Sequence, residues 1–334
     1  MSTFSRFWTQ SFFLAPPRLT EKNLSDEHGR VTIVTGGYAG VGYELSKILY
    51  QHNGTVYVAG RSPEKGERAI NVIKAAVPQS KGRLEFLFLD LGDLTGIKKS
   101  AEEFMSKESR LDVLVNNAGV MQVPLGSKTV QGYELQIGTN CVAPYLFTKL
   151  LTPLLQQTAA SSPAGSVRVT WAASLGVDVQ SPPNGGFDLT SDGAPIVNTT
   201  RTQTNYGMSK VGNYFLASQF ALRNPIKDGK GVVSLAFNPG NLRTELQRDM
   251  QSVMKWVITT LLLYPAVFGG YTELYAGWAE ETGRAEHHGG YVLPWGRLGD
   301  VRADVQREIE AGKKGEGKAM KFWEWCDSET KAYL

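Results

Sequence analysis

The chain predicts an α/β fold, a doubly wound parallel sheet with helices on both faces. Three observations predict it. A short β-branched run, Arg30 to Thr35, enters the glycine-rich turn Gly36-Gly37-Tyr38-Ala39-Gly40-Val41-Gly42, and a helical stretch follows. Short apolar runs then alternate with helix-like segments along most of the chain. The chemically capable residues fall at the ends of those runs, where a parallel sheet gathers its ligands.

Residues 1–27 form an arm ahead of the first α/β unit. Phe4, Phe7, Trp8, Phe12 and Phe13 share one helical face, and Pro16-Pro17 ends that pattern. Thr9, Gln10 and Ser11 interrupt any apolar core, so the arm does not read as a secretion signal. It reads either as packing on its own domain or a partner subunit, or as a peripheral membrane contact through the aromatic face.

The glycine-rich turn lets backbone approach a pyrophosphate, and the helix after it, Tyr43 to Gln51, favours that charge at its N-terminus. The second strand, Thr55 to Ala59, ends in Gly60-Arg61-Ser62 with no carboxylate. An acidic residue there would bind a ribose 2′-hydroxyl, whereas an arginine accommodates a 2′-phosphate. The expectation is therefore NADPH rather than NADH, the alternative being that Arg61 is a solvated loop residue. A helix from Pro63 to Val77 leads to the strand Leu84 to Leu89 and then Asp90-Leu91. Asp90 is placed to bond the adenine edge, or equally to cap the next helix. The strand Leu111 to Val115 runs into Asn116-Asn117-Ala118-Gly119.

The apolar-rich segment Lys128 to Gln157 holds Asn140-Cys141-Val142-Ala143-Pro144. Within a helix, Pro144 cannot bond the carbonyl of Asn140, so a kink is expected and that carbonyl is free to hold a water. The strand Ser166 to Ala172 ends near Ser174, and a polar loop, Gly176 to Asn205, leads to Tyr206-Gly207-Met208-Ser209-Lys210. A tyrosine and a lysine four residues apart share one helix face. An ammonium and a cationic cofactor nearby favour the phenolate of a group whose pKa is ordinarily about 10. By itself this spacing also arises by chance on solvated helices. The strand Val232 to Phe237 precedes Asn238-Pro239-Gly240.

Composition bounds the function classes. With 334 residues and 42% apolar content the chain can bury a large core. A net charge of +3 gives no argument for nucleic acid, and no uncharged apolar run is long enough to span a bilayer. The two cysteines, Cys141 and Cys326, fit a reducing, cytoplasmic setting better than a disulfide framework. No metal is expected, because no Cys/His cluster has ligand spacing and His287-His288 sits in a glycine loop.

These motifs resemble, over roughly residues 28–295, the short-chain dehydrogenase/reductase family, a Rossmann-like fold. The matches are the Thr35–Gly42 turn, Asn116 to Gly119, Asn140, Ser174, Tyr206 to Lys210, and Pro239-Gly240 followed by Thr244. The turn's spacing is that of the single-domain branch. The long loop before Tyr206, together with Gly269 to Glu281 and Gly289 to Pro294, is similar to the group containing retinol dehydrogenases and the WW-domain oxidoreductase.

The resemblance implies Tyr206 as general acid/base and Ser174 as hydrogen-bond partner of the substrate oxygen. It implies Lys210 on the nicotinamide ribose, lowering the Tyr206 pKa, and Asn140 holding a relay water through its carbonyl. Pro144 is a departure from the family pattern. Cofactor contacts are expected from Gly36, Tyr38, Gly40, Val41 and Gly42, from Arg61, Asp90 and Leu91, and from Asn117, Ala118 and Gly119. Tyr206, Lys210, Pro239, Gly240 and Thr244 complete that set. Residues 242–279 are expected to form a small substrate lid. Its apolar stretch Trp256 to Phe268 reads as core packing, as a lipophilic pocket, or as a membrane-surface contact. The tail, 296–334, reads as a charged helix, a glycine-containing break, and a short helix packed by Phe322, Trp323 and Trp325.

The function so implied is NADP(H)-dependent hydride transfer to or from a carbonyl/alcohol group of a lipophilic or secondary-metabolite-like small molecule. Two other readings are a reductase of C=N or C=C bonds or a cyclisation guide, and a non-catalytic dinucleotide-binding regulator. Family members are often homo-oligomers, which is the expectation here by analogy.

Overall fold

β1 (Val31–Thr35) is buried at all five positions, which suits its β-branched composition to the middle of a two-sided sheet. It pairs in parallel with β2 (Thr55–Gly60) on one side and β4 (Val113–Asn116) on the other. The computed structural model describes residues 2–12, 14–242 and 263–334. Within them the sheet has eight strands, in the order β3-β2-β1-β4-β5-β6-β7-β8. The remaining strands are β3 (Arg83–Phe88), β5 (Arg168–Ala172), β6 (Val233–Phe237), β7 (Gly290–Leu293) and β8 (Arg297–Gly299). All pairings are parallel except β7 with β8, an antiparallel edge. The strand order reverses between β1 and β4, and in such sheets ligands bind at that point, outside the carboxyl ends of the strands. The doubly wound sheet anticipated from the alternation is therefore the observed one.

Helices cover both faces. On one, α2 (Gly40–Gln51) and α3 (Pro63–Ala76) bury Leu45, Ile48, Ile70 and Ile73 against Val34, Val56 and Val58. On the other, α4 (Ile97–Lys107), α5 (Ala143–Ser161) and α6 (Thr202–Arg223) enclose a larger core. Every residue of α6 from Asn205 to Ala221 is buried. A helix wrapped on all sides holds its side chains to one geometry, which is what a catalytic face requires.

Some boundaries differ from those the sequence suggests. α2 starts at Gly40 rather than Tyr43, and α6 at Thr202, four residues before Tyr206. The loop after Ser174 opens with a helical turn, Gly176–Val179, and is pinned by Phe187, whose ring packs on Phe215 and Phe322. The segment ahead of Asn140 is a turn closed by a Lys128–Glu134 bridge, with helical structure only from Leu135.

The lid expectation divides. Residues 243–262, which carry Thr244 and most of the Trp256–Phe268 stretch, lie outside the described residues. The described part contains the helix α7 (Ala266–Trp278). It packs along α2 and under the sheet, with Leu274, Tyr275 and Ala276 in the core. Arg168, buried in β5, donates to the carbonyls of Ala276 (3.1 Å) and Ala279 (2.8 Å), capping the helix's negative end. The tail forms α8 (Ala303–Lys313) and α9 (Gly317–Thr330), and Phe322, Trp325 and Cys326 join the core beside α6.

The arm's helix, α1 (Thr3–Ser11), packs on its own domain in an unexpected way. Gln10 and Ser11 point inward, 3% and 1% exposed, while Phe4 and Trp8 face outward at 71% and 45%. No helix among the described residues is long and apolar enough to cross a membrane.

Candidate active site

Tyr206 and Lys210 lie on α6. The Lys210 ammonium donates to the carbonyl of Ala172 at the end of β5 (2.8 Å) and lies 5.5 Å from the centre of the Tyr206 ring. Asn213, one turn on, donates to the same carbonyl (2.7 Å). Ser174 lies two residues beyond that strand and hydrogen-bonds the Tyr206 phenol. Tyr291 of β7 donates to the Ser174 carbonyl (3.3 Å) and holds the turn in place.

Burial dominates the electrostatics. It pushes the Tyr206 phenol up from its ordinary value, and the Ser174 hydrogen bond pulls the other way. Burial also lowers Lys210 itself to about 8, because a charged amine loses its hydration inside the protein.

Asn140 sits in a π turn, Gly138–Val142, just ahead of Pro144. This is the helix irregularity the proline predicts, in the form of a wider turn rather than a simple kink. Its side chain accepts from the Val120 amide (2.8 Å) and donates to the Val120 carbonyl (3.0 Å) and to Ser209 Oγ (3.0 Å). A Cβ on Gly119 would lie 3.0 Å from Asn140 Oδ1 and 3.5 Å from Lys210 Nζ. The structure thus gathers Gly119, Asn140, Ser174, Tyr206 and Lys210 at one place.

The dinucleotide end is equally well built. Gly36 adopts φ +67°, in the left-handed region where glycine is favoured. Gly42 has no room for a side chain, since a Cβ would lie 2.6 Å from Asn117 Nδ2 and 2.7 Å from the Gly36 carbonyl. Asn117 donates to the Thr35 carbonyl (2.7 Å), and the Ala118 amide donates to Thr35 Oγ1 (2.9 Å). The N-terminus of α2 carries no side-chain cap. Its first amide groups are therefore available to an anion. These features fit a pyrophosphate.

The remaining expected residues are distributed as follows. Tyr38 lies over the end of β2, where a Cβ on Gly60 would meet its Cε1 at 2.2 Å. Arg61 is exposed beside it and makes no hydrogen bond or ion pair within the described residues. Asp90 accepts from the Gly92 amide (2.8 Å), whereas Asp93, not Asp90, caps the following short helix. Leu91 is buried in the core, and Val41 is buried at the start of α2. Gly240 takes φ +95° after Pro239, and its amide donates to Asn238 Oδ1 (3.0 Å). Thr244 lies outside the described residues.

Both cysteines are free and buried. His288 is pinned structurally, accepting from the Ser234 amide (3.0 Å). No His/Cys/Asp/Glu cluster among the described residues could hold a metal.

Sequence reasoning does not single out Gln10, Asp178, Asn238 and Tyr291 for the site. Their only signal is polarity inside apolar surroundings, and the Thr9-Gln10-Ser11 interruption reads in sequence only as a break in an apolar segment.

The comparisons with known proteins agree with this geometry. The family model described as short chain dehydrogenase matches residues 30–172. A short-chain dehydrogenase/reductase of Phomopsis amygdali is 44% identical over 98% of this chain and 97% of its own. The short-chain dehydrogenase/reductase pkfC of Emericella nidulans is 44% identical over 96% and 98%. Among solved structures, a protein of Mycobacterium paratuberculosis described as uncharacterized superposes with a TM-score of 0.66 at 25% identity, covering 94% of this chain and 97% of that one. The RhlG/NADP complex of Pseudomonas aeruginosa superposes with a TM-score of 0.50 at 25% identity, covering 66% and 76%. The chain belongs to the short-chain dehydrogenase/reductase family of nicotinamide-dinucleotide oxidoreductases.

Proposed function

We propose that the chain is an NADP(H)-dependent oxidoreductase acting on a carbonyl/alcohol group of a lipophilic or secondary-metabolite-like substrate. The observation that carries this reading is the convergence of Ser174, Tyr206, Lys210 and Asn140 beside Gly119, at the edge where the glycine-rich turn also lies.

The bound cofactor supplies the hydride. Ser174 donates a hydrogen bond to the substrate oxygen, where negative charge grows as hydride reaches carbon. Tyr206 supplies the proton to that oxygen. A phenol held protonated by burial suits this acid role. Lys210 binds the nicotinamide ribose, and Asn140 holds a relay water through its backbone carbonyl. Asp90 and Leu91 meet the adenine, and Pro239, Gly240 and Thr244 meet the nicotinamide end.

Preference for the phosphorylated cofactor rests on Arg61, a guanidinium at the tip of β2 with no partner among the described residues and no carboxylate beside it. The similar RhlG protein is a complex with NADP, which points the same way. Arg61→Asp is expected to reverse the preference of kcat/KM for NADPH over NADH, since an arginine–phosphate pair contributes about 1.5–3 kcal/mol. Arg61 does not read the phosphate if the preference stays unchanged. Oxidation of NADPH across a carbonyl panel, followed at 340 nm, tests the reading as a whole. Tight NADPH binding with no turnover of any member would favour the non-catalytic regulator.

A further inference from the structure

The polar side of α1 packs on the turns that follow β5 and β6. Gln10 Nε2 donates to Asp178 Oδ2 (2.8 Å), and Gln10 Oε1 accepts from Asn238 Nδ2 (2.9 Å). Asp178 lies four residues past Ser174, and Asn238 immediately precedes Pro239-Gly240. One buried amide therefore ties the turn carrying the substrate-side serine to the turn at the nicotinamide end. The next residue continues the pattern. Ser11 Oγ accepts from Asn241 Nδ2 (2.9 Å), and the Ser11 carbonyl accepts from the Tyr264 hydroxyl (3.2 Å). Leu242 and Tyr264, which flank residues 243–262, pair with each other as a bridge at that point.

Three further contacts seat the helix. The Arg6 guanidinium lies 3.7 Å from Asp178 and donates to the Asp300 carbonyl (2.8 Å), and Arg297 donates to the Thr9 carbonyl (3.2 Å). Asp178 and Asn238 are each 1% exposed, so without Gln10 neither Asp178 Oδ2 nor Asn238 Nδ2 can turn to water, although Asp178 Oδ1 keeps the Arg302 amide (2.9 Å) and the nearby Arg6. A buried hydrogen-bonding group left unpaired is costly enough to displace the turn that bears it. Surface packing alone would need no such network. A helix held to its protein by aromatic burial would turn Phe4 and Trp8 inward, and here they face out.

We propose that α1 is the substrate-side wall of the active site and that Gln10 is a positioning residue for substrate specificity. Gln10 fixes the spacing between the Ser174 turn and the Asn238 turn, and Ser11 holds Asn241 and Tyr264. The inference rests on the oxidoreductase reading above, but its physical core, that Gln10 holds these two turns, can be measured without turnover.

Gln10→Ala and Gln10→Met test it in the full-length chain, the second keeping side-chain length while removing both hydrogen bonds. With NADPH, the probes are 4-nitrobenzaldehyde as a small carbonyl and 9,10-phenanthrenequinone as a bulky one. Both variants are expected to shift the ratio of kcat/KM toward the bulky probe by about tenfold, chiefly through KM. NADPH affinity is expected to change less than the specificity ratio, since of the proposed cofactor contacts only the Pro239-Gly240 turn lies beside Gln10. Hydrogen–deuterium exchange is expected to rise in 176–181, 238–242 and 263–268 of both variants. A specificity ratio and KM values that match the wild type would overturn the wall. If the wild type turns over no carbonyl, the oxidoreductase reading fails separately, and exchange decides on Gln10: unchanged protection in those three segments overturns its role.

Discussion

Tyr206→Phe is expected to lower the turnover of a carbonyl substrate at least about a hundredfold, the usual loss when a general acid is removed. That factor corresponds to about 2.7 kcal/mol of transition-state stabilisation. The substitution removes one oxygen and keeps the ring. Tyr206 packs within a helix buried on every side, so the fold and the Lys210 geometry should persist. What disappears is the proton aimed at the substrate oxygen, together with the hydrogen bond to Ser174. NADPH affinity, measured by fluorescence titration, should therefore be nearly unchanged while kcat falls. Near-normal kcat in the variant would remove Tyr206 from the mechanism. The pH profile carries a second check. Burial holds the phenol above its ordinary value of about 10, so the acid form persists through neutral pH. Reduction by the wild type should then decline only toward alkaline pH through this group.

The second large effect concerns stability. Glu273 lies on α7, fully buried, and neither carboxylate oxygen has a hydrogen-bond partner among the described residues. Burial raises its pKa well above the ordinary carboxylate value. A carboxyl in that setting stays neutral, because charging it without a partner costs more than holding the proton. The sign of the pH dependence follows. With the folded pKa above the unfolded one, the stabilising contribution is complete below the unfolded pKa of about 4.3. It is lost as pH rises through the folded pKa. Over that window the wild type should lose up to about 1.4 kcal/mol per pH unit through this single group. Glu273→Gln keeps the shape and cannot ionise. Urea midpoints at pH 5 and pH 8 should show the variant gaining on the wild type as pH rises. Parallel curves for the two proteins would mean that Glu273 does not carry this proton.

Much of this site can be read directly from residue order. The strand–glycine turn–helix passage at Thr35 to Gly42, Asn117 to Gly119, Ser174, and the Tyr206/Lys210 pair are local patterns. Each depends on a few neighbouring residues and on its place at a strand end. Gly42 shows why such a pattern is legible, since any side chain there would strike Asn117 and the Gly36 carbonyl. A steric requirement of this kind leaves a mark in the residue type itself. Pro144 likewise announces irregular backbone near Asn140, though not that it takes the form of a π turn.

Other features leave no local mark. Gln10 reaches Asp178 and Asn238 across separations of 168 and 228 residues, and polar residues in an aromatic helix do not say which side faces inward. The aromatic face of α1 suits either packing on protein or a membrane contact, and the buried hydrogen bonds of Gln10 and Ser11 set its orientation. The composition of α7 suits either a lid or a core. Arg168 donating to its terminal carbonyls, and its seat along α2, bury Leu274, Tyr275 and Ala276 in the core, which composition alone does not reveal. Sequence alone thus determined the parallel α/β sheet, the dinucleotide turn and the identity of the proposed proton-handling residues, because these rest on period, glycine sterics and residue chemistry. Tertiary structure decided the protonated balance at Tyr206, the partnerless Glu273 and the polar seat of α1, because burial and long-range hydrogen bonding exist only after distant segments meet.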